Sequence, residues 1–155
     1  WCIDKYFPEY LSKCSVYGNW KESGRDSETK WSYINFKERL QTKDMYDVYS
    51  NSVCTILFAK EEYCKYGFMT ARVIESVFYG TIPLFIREYG EDVIKEYAGE
   101  YASLLTVNGK EDVADKILFF KYNELLYNEI ILYLRKHLSF MDVNNFVQVL
   151  EDIVF

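Results

Sequence analysis

The sequence predicts a single α/β domain built on a mostly parallel sheet. Three observations support this. Stretches with helical spacing alternate with short apolar runs, glycines and capping residues fall between them, and no internal repeat or low-complexity tract interrupts the alternation. At 155 residues the chain suits one domain with a sizeable core, since a chain of this length buries roughly two thirds of its unfolded surface.

Residues 3–13 have the pattern of a short amphipathic helix, and Cys14 to Tyr17 that of a short strand ending at Gly18. The polar stretch from Asn19 to Lys30 reads as a loop, and Tyr33 to Phe36 as another strand. Thr42 is placed to cap a helix running to about Tyr49, with Met45 and Val48 spaced for one buried face. Val53 to Ala59, seven residues without a charge, is the clearest buried strand. Thr70 is placed to cap a helix through Tyr79 that Gly80 ends, with Val73, Ile74, Val77 and Phe78 as its core stripe. Thr81 to Ile86 is the next apolar run, and Pro83 points to an edge or strand-start position. Beyond it the pattern predicts a helix over Glu91 to Ala98, a strand over Ala102 to Val107 and an amphipathic helix over residues 110–121. The last thirty or so residues are helical, with a break near Ser139 and Met141.

Composition narrows the function classes. A net charge of -6 argues against an electrostatic platform for nucleic acid or acidic membrane, although a local anion site needs only backbone N–H groups and one or two basic side chains. Cys2, Cys14, Cys54 and Cys64 form no CxxC pair and His137 is the only histidine, so no metal site is predicted; reduced thiols of a cytoplasmic protein are expected instead. There is no run of 18 apolar residues, and so no predicted membrane-spanning helix. The 15 Tyr and 11 Phe supply apolar area with polar tips, suited to core edges or ligand contacts and equally to a compositional bias. A chain that opens on Trp1 is expected to have lost its natural beginning.

The segment that carries chemistry runs from Tyr66 to Arg87. Gly67 has no Cβ, so a turn there lets backbone approach a ligand, and the N–H groups of Met69, Thr70 and Ala71 open the following helix. A helix start of this kind is a natural diphosphate site, and in an open parallel sheet the ligand crevice lies beyond the carboxyl ends of the strands. Arg72 and Glu75, three residues apart, share a helix face. Arg72 is suited to fork onto phosphate oxygens, and Glu75 to accept from two adjacent ribose hydroxyls. The plain alternative is a surface Arg–Glu pair worth a few tenths of a kcal/mol.

Gly67, Phe68, Thr70, Arg72, Glu75, Gly80 and Pro83 resemble the donor-site signature of GT-B-fold glycosyltransferases, in the form G-[FY]-x-[ST]-x-R-x-x-E-x-x-x-x-G-x-x-P-[LIV] of the CgeB-like and glycosyltransferase group 1 proteins. With the helix, serine and strand lead-in from Asp44, the likeness spans roughly residues 33–108. It implies a Rossmann-like three-layer domain with C-terminal helices, the C-terminal half of a GT-B fold, covering residues 1–155 with the N-terminal acceptor domain absent. It also implies a nucleotide-sugar donor, UDP-linked in preference to GDP-linked, transferred to a hydroxyl acceptor without a further cofactor or metal. By resemblance, Gly67, Phe68, Met69, Thr70 and Arg72 meet the diphosphate and Glu75 the ribose, with Lys60 and Tyr66 as additional donor contacts. Eight positions before Glu75 stands Gly67, where many retaining enzymes of this fold carry a second glutamate near that spacing; no catalytic residue and no stereochemical course is assigned. One half alone is expected to bind donor without turnover.

Other residues have plainer readings beside functional ones. Lys60 closes the buried strand, as a phosphate contact or an exposed lysine, and Trp20, Trp31 or Tyr33 could stack on a base or simply pack. Glu61 and Glu62 read as a solvated face, Arg87 to Gly90 as a sugar contact or a turn, and His137 has no nucleophile partner in view. Two competing functions remain in view: a non-enzymatic α/β interaction module such as a flavodoxin-like receiver, and a degenerate transferase half serving as an assembly surface. Strands ending in Gly18 and Lys60 lack the acidic cluster a receiver needs.

Overall fold

A computed structural model gives the fold and describes residues 2–9, 14–18, 31–58 and 61–141. The expected loop over Asn19 to Lys30, with Trp20, lies outside the described residues, as do Ala59, Lys60 and the tail beyond Met141.

The described chain is α/β with two parallel sheets. In the smaller, β1 (Ser15–Tyr17) pairs with β2 (Asn35–Lys37), Ser15 opposite Asn35. In the larger, β3 (Cys54–Leu57), β4 (Ile82–Ile86) and β5 (Thr106–Val107) lie in that order. The register sets Cys54 opposite Ile82 and Phe85 opposite Thr106. The helices are α1 (Cys2–Tyr6), α2 (Met45–Ser50), α3 (Glu61–Lys65) and α4 (Arg72–Phe78), followed by α5 (Glu91–Ala98), α6 (Ala102–Leu105), α7 (Lys110–Tyr122) and α8 (Glu124–His137).

All five residues of β4 are buried, as a central parallel strand covered on both faces requires. Around it close Leu57, Leu105 and Val107, with Val73 and Val77 of α4, Ile94 and Ala98 of α5, Phe120 of α7, and Ile130 and Leu134 of α8. Each such aliphatic or aromatic side chain contributes about 1.5–3 kcal/mol on burial. A second cluster of Ile3, Phe7, Trp31 and Ile34 joins the first through Ile56 and Phe58.

Several expectations are corrected. The first helix stops at Tyr6, and Thr42 begins a 3-10 turn rather than capping α2, whose buried residue is Tyr49 while Met45 and Val48 are only partly covered. The strand expected over Val53 to Ala59 pairs only over Cys54–Leu57, and of those four only Leu57 is fully buried. Ala102 to Leu105 is helical, leaving two residues of strand; Gly99 (φ 55) and the 3-10 turn Gly99–Tyr101 feed the chain directly into that helix. Pro83 sits in the central strand, yet β5 pairs only with Phe85 and Ile86, so at Pro83 the strand has one neighbour and the absent N–H is tolerated. On α4, Ser76 is buried and donates to the Val73 carbonyl (2.9 Å), whereas Phe78 is 71% exposed; at 100° per residue Phe78 falls well off the Val73–Val77 line.

The C-terminal helix holds this arrangement by its polar groups as well. Tyr127 Oη lies 3.0 Å from the Val53 carbonyl and 2.9 Å from that of Gly80, joining α8 to the amino ends of β3 and β4. Arg135 donates through Nε to the Val77 carbonyl (3.1 Å) and through Nη2 to that of Phe78 (3.0 Å). The end of α4 is thereby fully paired. Thr81 N–H bonds the Ser76 carbonyl at 2.7 Å and Gly80 N–H that of Val77 at 3.1 Å, a Schellman stop with Gly80 at φ 86.

Replacing Arg135 with Met keeps its apolar stem but removes the side-chain donor to the Phe78 carbonyl and one of two donors to that of Val77, and is expected to cost about 1 kcal/mol in urea unfolding. At high pH, burial pushes the Tyr49 and Tyr127 phenols up to about 12, and a hydrogen bond to Glu129 does the same for Tyr101. The fold thus favours their protonated forms. That stabilisation is complete below the unfolded value of about 10 and is lost as pH rises toward 12, so urea midpoints should fall over this interval.

Candidate functional site

The carboxyl ends of β3, β4 and β5 face one edge of the larger sheet, where an open parallel sheet offers its crevice. α1 covers part of this edge. Tyr6 and Phe7 pack their rings against Phe58, just beyond β3 (centroids 6.2 and 5.4 Å). Lys5 and Tyr6 both donate to the Glu88 carboxylate, in the short 3-10 turn Arg87–Tyr89 beyond β4. Burial alone would raise the Glu88 carboxyl, but the Lys5 and Tyr6 hydrogen bonds outweigh it and hold it below the usual carboxylate range. Gly109, beyond β5, lies close to the Lys5 carbonyl.

Between β3 and α4 stands α3, a helix the sequence pattern did not reveal because its five residues carry no apolar stripe. Gly67 ends it. Gly67 N–H bonds the Cys64 carbonyl (3.2 Å), Phe68 N–H bonds that of Tyr63 (2.8 Å), and Gly67 has φ 70: a second Schellman stop, with the Phe68 and Tyr63 rings in edge contact at 6.4 Å. A Cβ on Gly67 would stand 3.2 Å from Val93 Cγ2. The need for glycine here is therefore a left-handed helix end packed against α5, a reason independent of any ligand. The Phe68 N–H is spent on this cap, and its ring is exposed.

α4 returns the chain to the amino end of β4, so its first residues lie at the carboxyl edge. Among the described residues none accepts a hydrogen bond from the N–H groups of Met69, Thr70, Ala71 or Arg72. Thr70 does not cap the helix. The N-cap position falls to Ala71, no side chain bonds the first turn, and Thr70 Oγ1 is buried without a hydrogen-bond partner among the described residues. Arg72 is exposed and makes no ion pair with Glu75. The half-buried Glu75 instead has Oε2 3.4 Å from the hydroxyl of Tyr49 on α2.

The remaining candidates fall into place by burial. Tyr66 is 65% exposed, its ring beside Phe68 (6.3 Å) and under the Lys65 ammonium (5.7 Å). Glu61 and Glu62 are exposed in the first turn of α3, on the solvated face expected of them. Trp31 is buried and donates to Asp4 (2.8 Å), which makes it a packing residue, with half-buried Tyr33 beside it. His137 stacks on Tyr133 and its Nε2 lies 2.8 Å from the Glu96 carbonyl. A depression lined by Ser32, Ile34, Asn35 and Phe36 opens at the amino end of β2. Burial pushes the Cys54 thiol up strongly. Among the described residues no group of three His, Cys, Asp or Glu could hold a metal ion, and no helix is long and apolar enough to cross a membrane.

Parallel strands alternating with helices, closed by α7 and α8, give this chain an α/β fold of the GT-B glycosyltransferase type. The fold is similar to that of bacteriophage T4 beta-glucosyltransferase, with a TM-score of 0.70 and 15% sequence identity over 88% of this chain and 40% of that one. A structure of the DNA-modifying enzyme beta-glucosyltransferase, studied in the presence and absence of its substrate uridine diphosphoglucose, matches at the same TM-score and identity, over 88% and 41%. The chain thus spans about two fifths of the length of these proteins. No protein-family model and no curated protein matches the sequence. The narrower resemblance to CgeB-like and group 1 proteins rests on the sequence pattern alone, that from Gly67 to Leu84 with its lead-in from Asp44.

Replacing Gly67 with Ala strains a φ of 70 and crowds Val93, and should cost about 1 kcal/mol or more in urea unfolding. A cost near zero would show that the α3 stop does not need glycine.

Proposed function

We propose that this chain is the donor-binding half of a GT-B glycosyltransferase, binding a nucleoside diphosphate sugar, UDP-linked in preference to GDP-linked. The observation that carries the reading is the run of N–H groups from Met69 to Arg72 that no group among the described residues engages, at the carboxyl edge of a GT-B-type sheet. Aligned backbone donors with the exposed Arg72 guanidinium beside them suit a diphosphate, and their fixed orientation would stabilise charge on a departing one. Glu75 would accept from the ribose hydroxyls, and the exposed rings of Tyr66 and Phe68 would border the donor. Lys60 is a further candidate contact. The similar DNA-modifying beta-glucosyltransferase supports a UDP-linked donor through its named substrate.

The alternative of a surface Arg72–Glu75 pair on an interaction module loses its main support, since the two side chains do not pair. In this reading the acceptor hydroxyl and the catalytic base belong to a second half preceding this one. Calorimetric titration with UDP, GDP and their sugars is expected to show UDP binding that weakens at least ten-fold in Glu75→Ala, with no sugar transfer by this chain alone. Absence of binding by any of these nucleotides would refute the donor-site reading. Binding indifferent to Glu75→Ala would refute the site.

A further inference from the structure

Glu75 is the one acidic residue of α4, and the structure surrounds it asymmetrically. Its Oε2 faces the Tyr49 hydroxyl, and among the described residues no other hydrogen bond or ion pair engages the carboxylate. Tyr49 is anchored on three sides. Its side chain is buried, its ring stacks on Tyr79 at 5.9 Å with 14° between the planes, and its carbonyl accepts from the buried Thr81 hydroxyl at the start of β4. Tyr46, one turn earlier on α2, meets the edge of the same Tyr79 ring at 6.1 Å but is largely exposed. A long side chain such as Glu samples several rotamers, and a fixed donor at one oxygen restricts them before any ligand arrives.

We propose that Tyr49 is the positioning residue for Glu75: it holds one carboxylate oxygen and turns the other toward the vicinal hydroxyls of the bound nucleotide, so that the site prefers a ribose over a deoxyribose. The inference rests on the nucleotide reading of this site. Tyr49 does not touch the ligand and acts through Glu75. Burial followed by the Glu75 charge raises the Tyr49 phenol, as expected where a phenol must stay protonated to donate.

Tyr49→Phe keeps the stacked ring and the Thr81 bond, so the fold is retained, and Tyr46→Phe serves as the control. In calorimetric titrations with UDP and 2′-deoxy-UDP, Tyr49→Phe should weaken UDP roughly five-fold while changing 2′-deoxy-UDP less, and should have no further effect in a Glu75→Ala background. Tyr46→Phe should leave both affinities as they are. A readout without nucleotide is the ring-carbon NMR signal of Tyr49, identified by its loss in Tyr49→Phe; it should shift, and titrate at lower pH, in Glu75→Gln. Equal losses for the two nucleotides, or an undiminished effect in the Glu75→Ala background, would overturn the positioning role while leaving the donor-site reading intact. An unmoved Tyr49 signal in Glu75→Gln would refute the contact itself. If wild type binds neither nucleotide, the donor-site reading fails and the positioning role falls with it.

Discussion

The architecture around the candidate site depends on how α8 grips the end of α4. A seven-residue helix gains little from its own hydrogen bonds, because its terminal carbonyls are as numerous as its internal ones. Here Arg135 supplies a guanidinium to the Val77 and Phe78 carbonyls, Gly80 a second donor to that of Val77, and the Thr81 and Tyr79 N–H groups donors to those of Ser76 and Glu75. The cation also lies at the negative end of the helix dipole, where it is favourable. Tyr127, two turns earlier on α8, reaches the carbonyls of Val53 and Gly80, so one helix fixes both β3 and the turn into β4. With its far end fixed in this way, α4 can present an uncapped start at the opposite edge.

Two helix stops frame that start: Gly67 ends α3 before it and Gly80 ends α4 after it, and among the described residues no group accepts from the N–H groups of Met69 to Arg72. Among the described residues neither α4 nor α7, the helices that follow β3 and β5 at this edge, has a side-chain cap; before α7, Asp112 accepts from the N–H and side-chain amide of Asn108, outside the helix. Burial would raise the Asp112 carboxyl, but its bonds from Lys116 and Asn108 outweigh it and hold the carboxyl low.

Much of this was legible in the sequence, and the failures have identifiable causes. Glu91 to Ala98 was read to the residue because its acidic first turn and apolar spacing agree, and Gly80 was rightly placed as a helix end. Ala102 to Val107 was read as strand because a short apolar run does not distinguish helix from strand by period. Gly67 was read for ligand approach, whereas the short helix before it already requires a left-handed residue. Thr70 was read as a cap from its type, but the turn out of α3 carries its hydroxyl inward. The Tyr49–Glu75 contact joins residues 26 positions apart across two helices, and no local pattern encodes it. The GT-B-type fold, read from a resemblance over roughly residues 33–108, agrees with the likeness to T4 beta-glucosyltransferase, which at 15% identity speaks for fold and not for individual residues.

We propose that the start of α4 is an anion site for a nucleotide diphosphate, and the amide NMR spectrum of the chain as UDP is added tests it. Saturable shifts are expected, concentrated at the N–H groups of Met69, Thr70, Ala71 and Arg72 and extending to Glu75. Shifts centred elsewhere, with the Met69 to Arg72 amides unmoved at saturation, would contradict it.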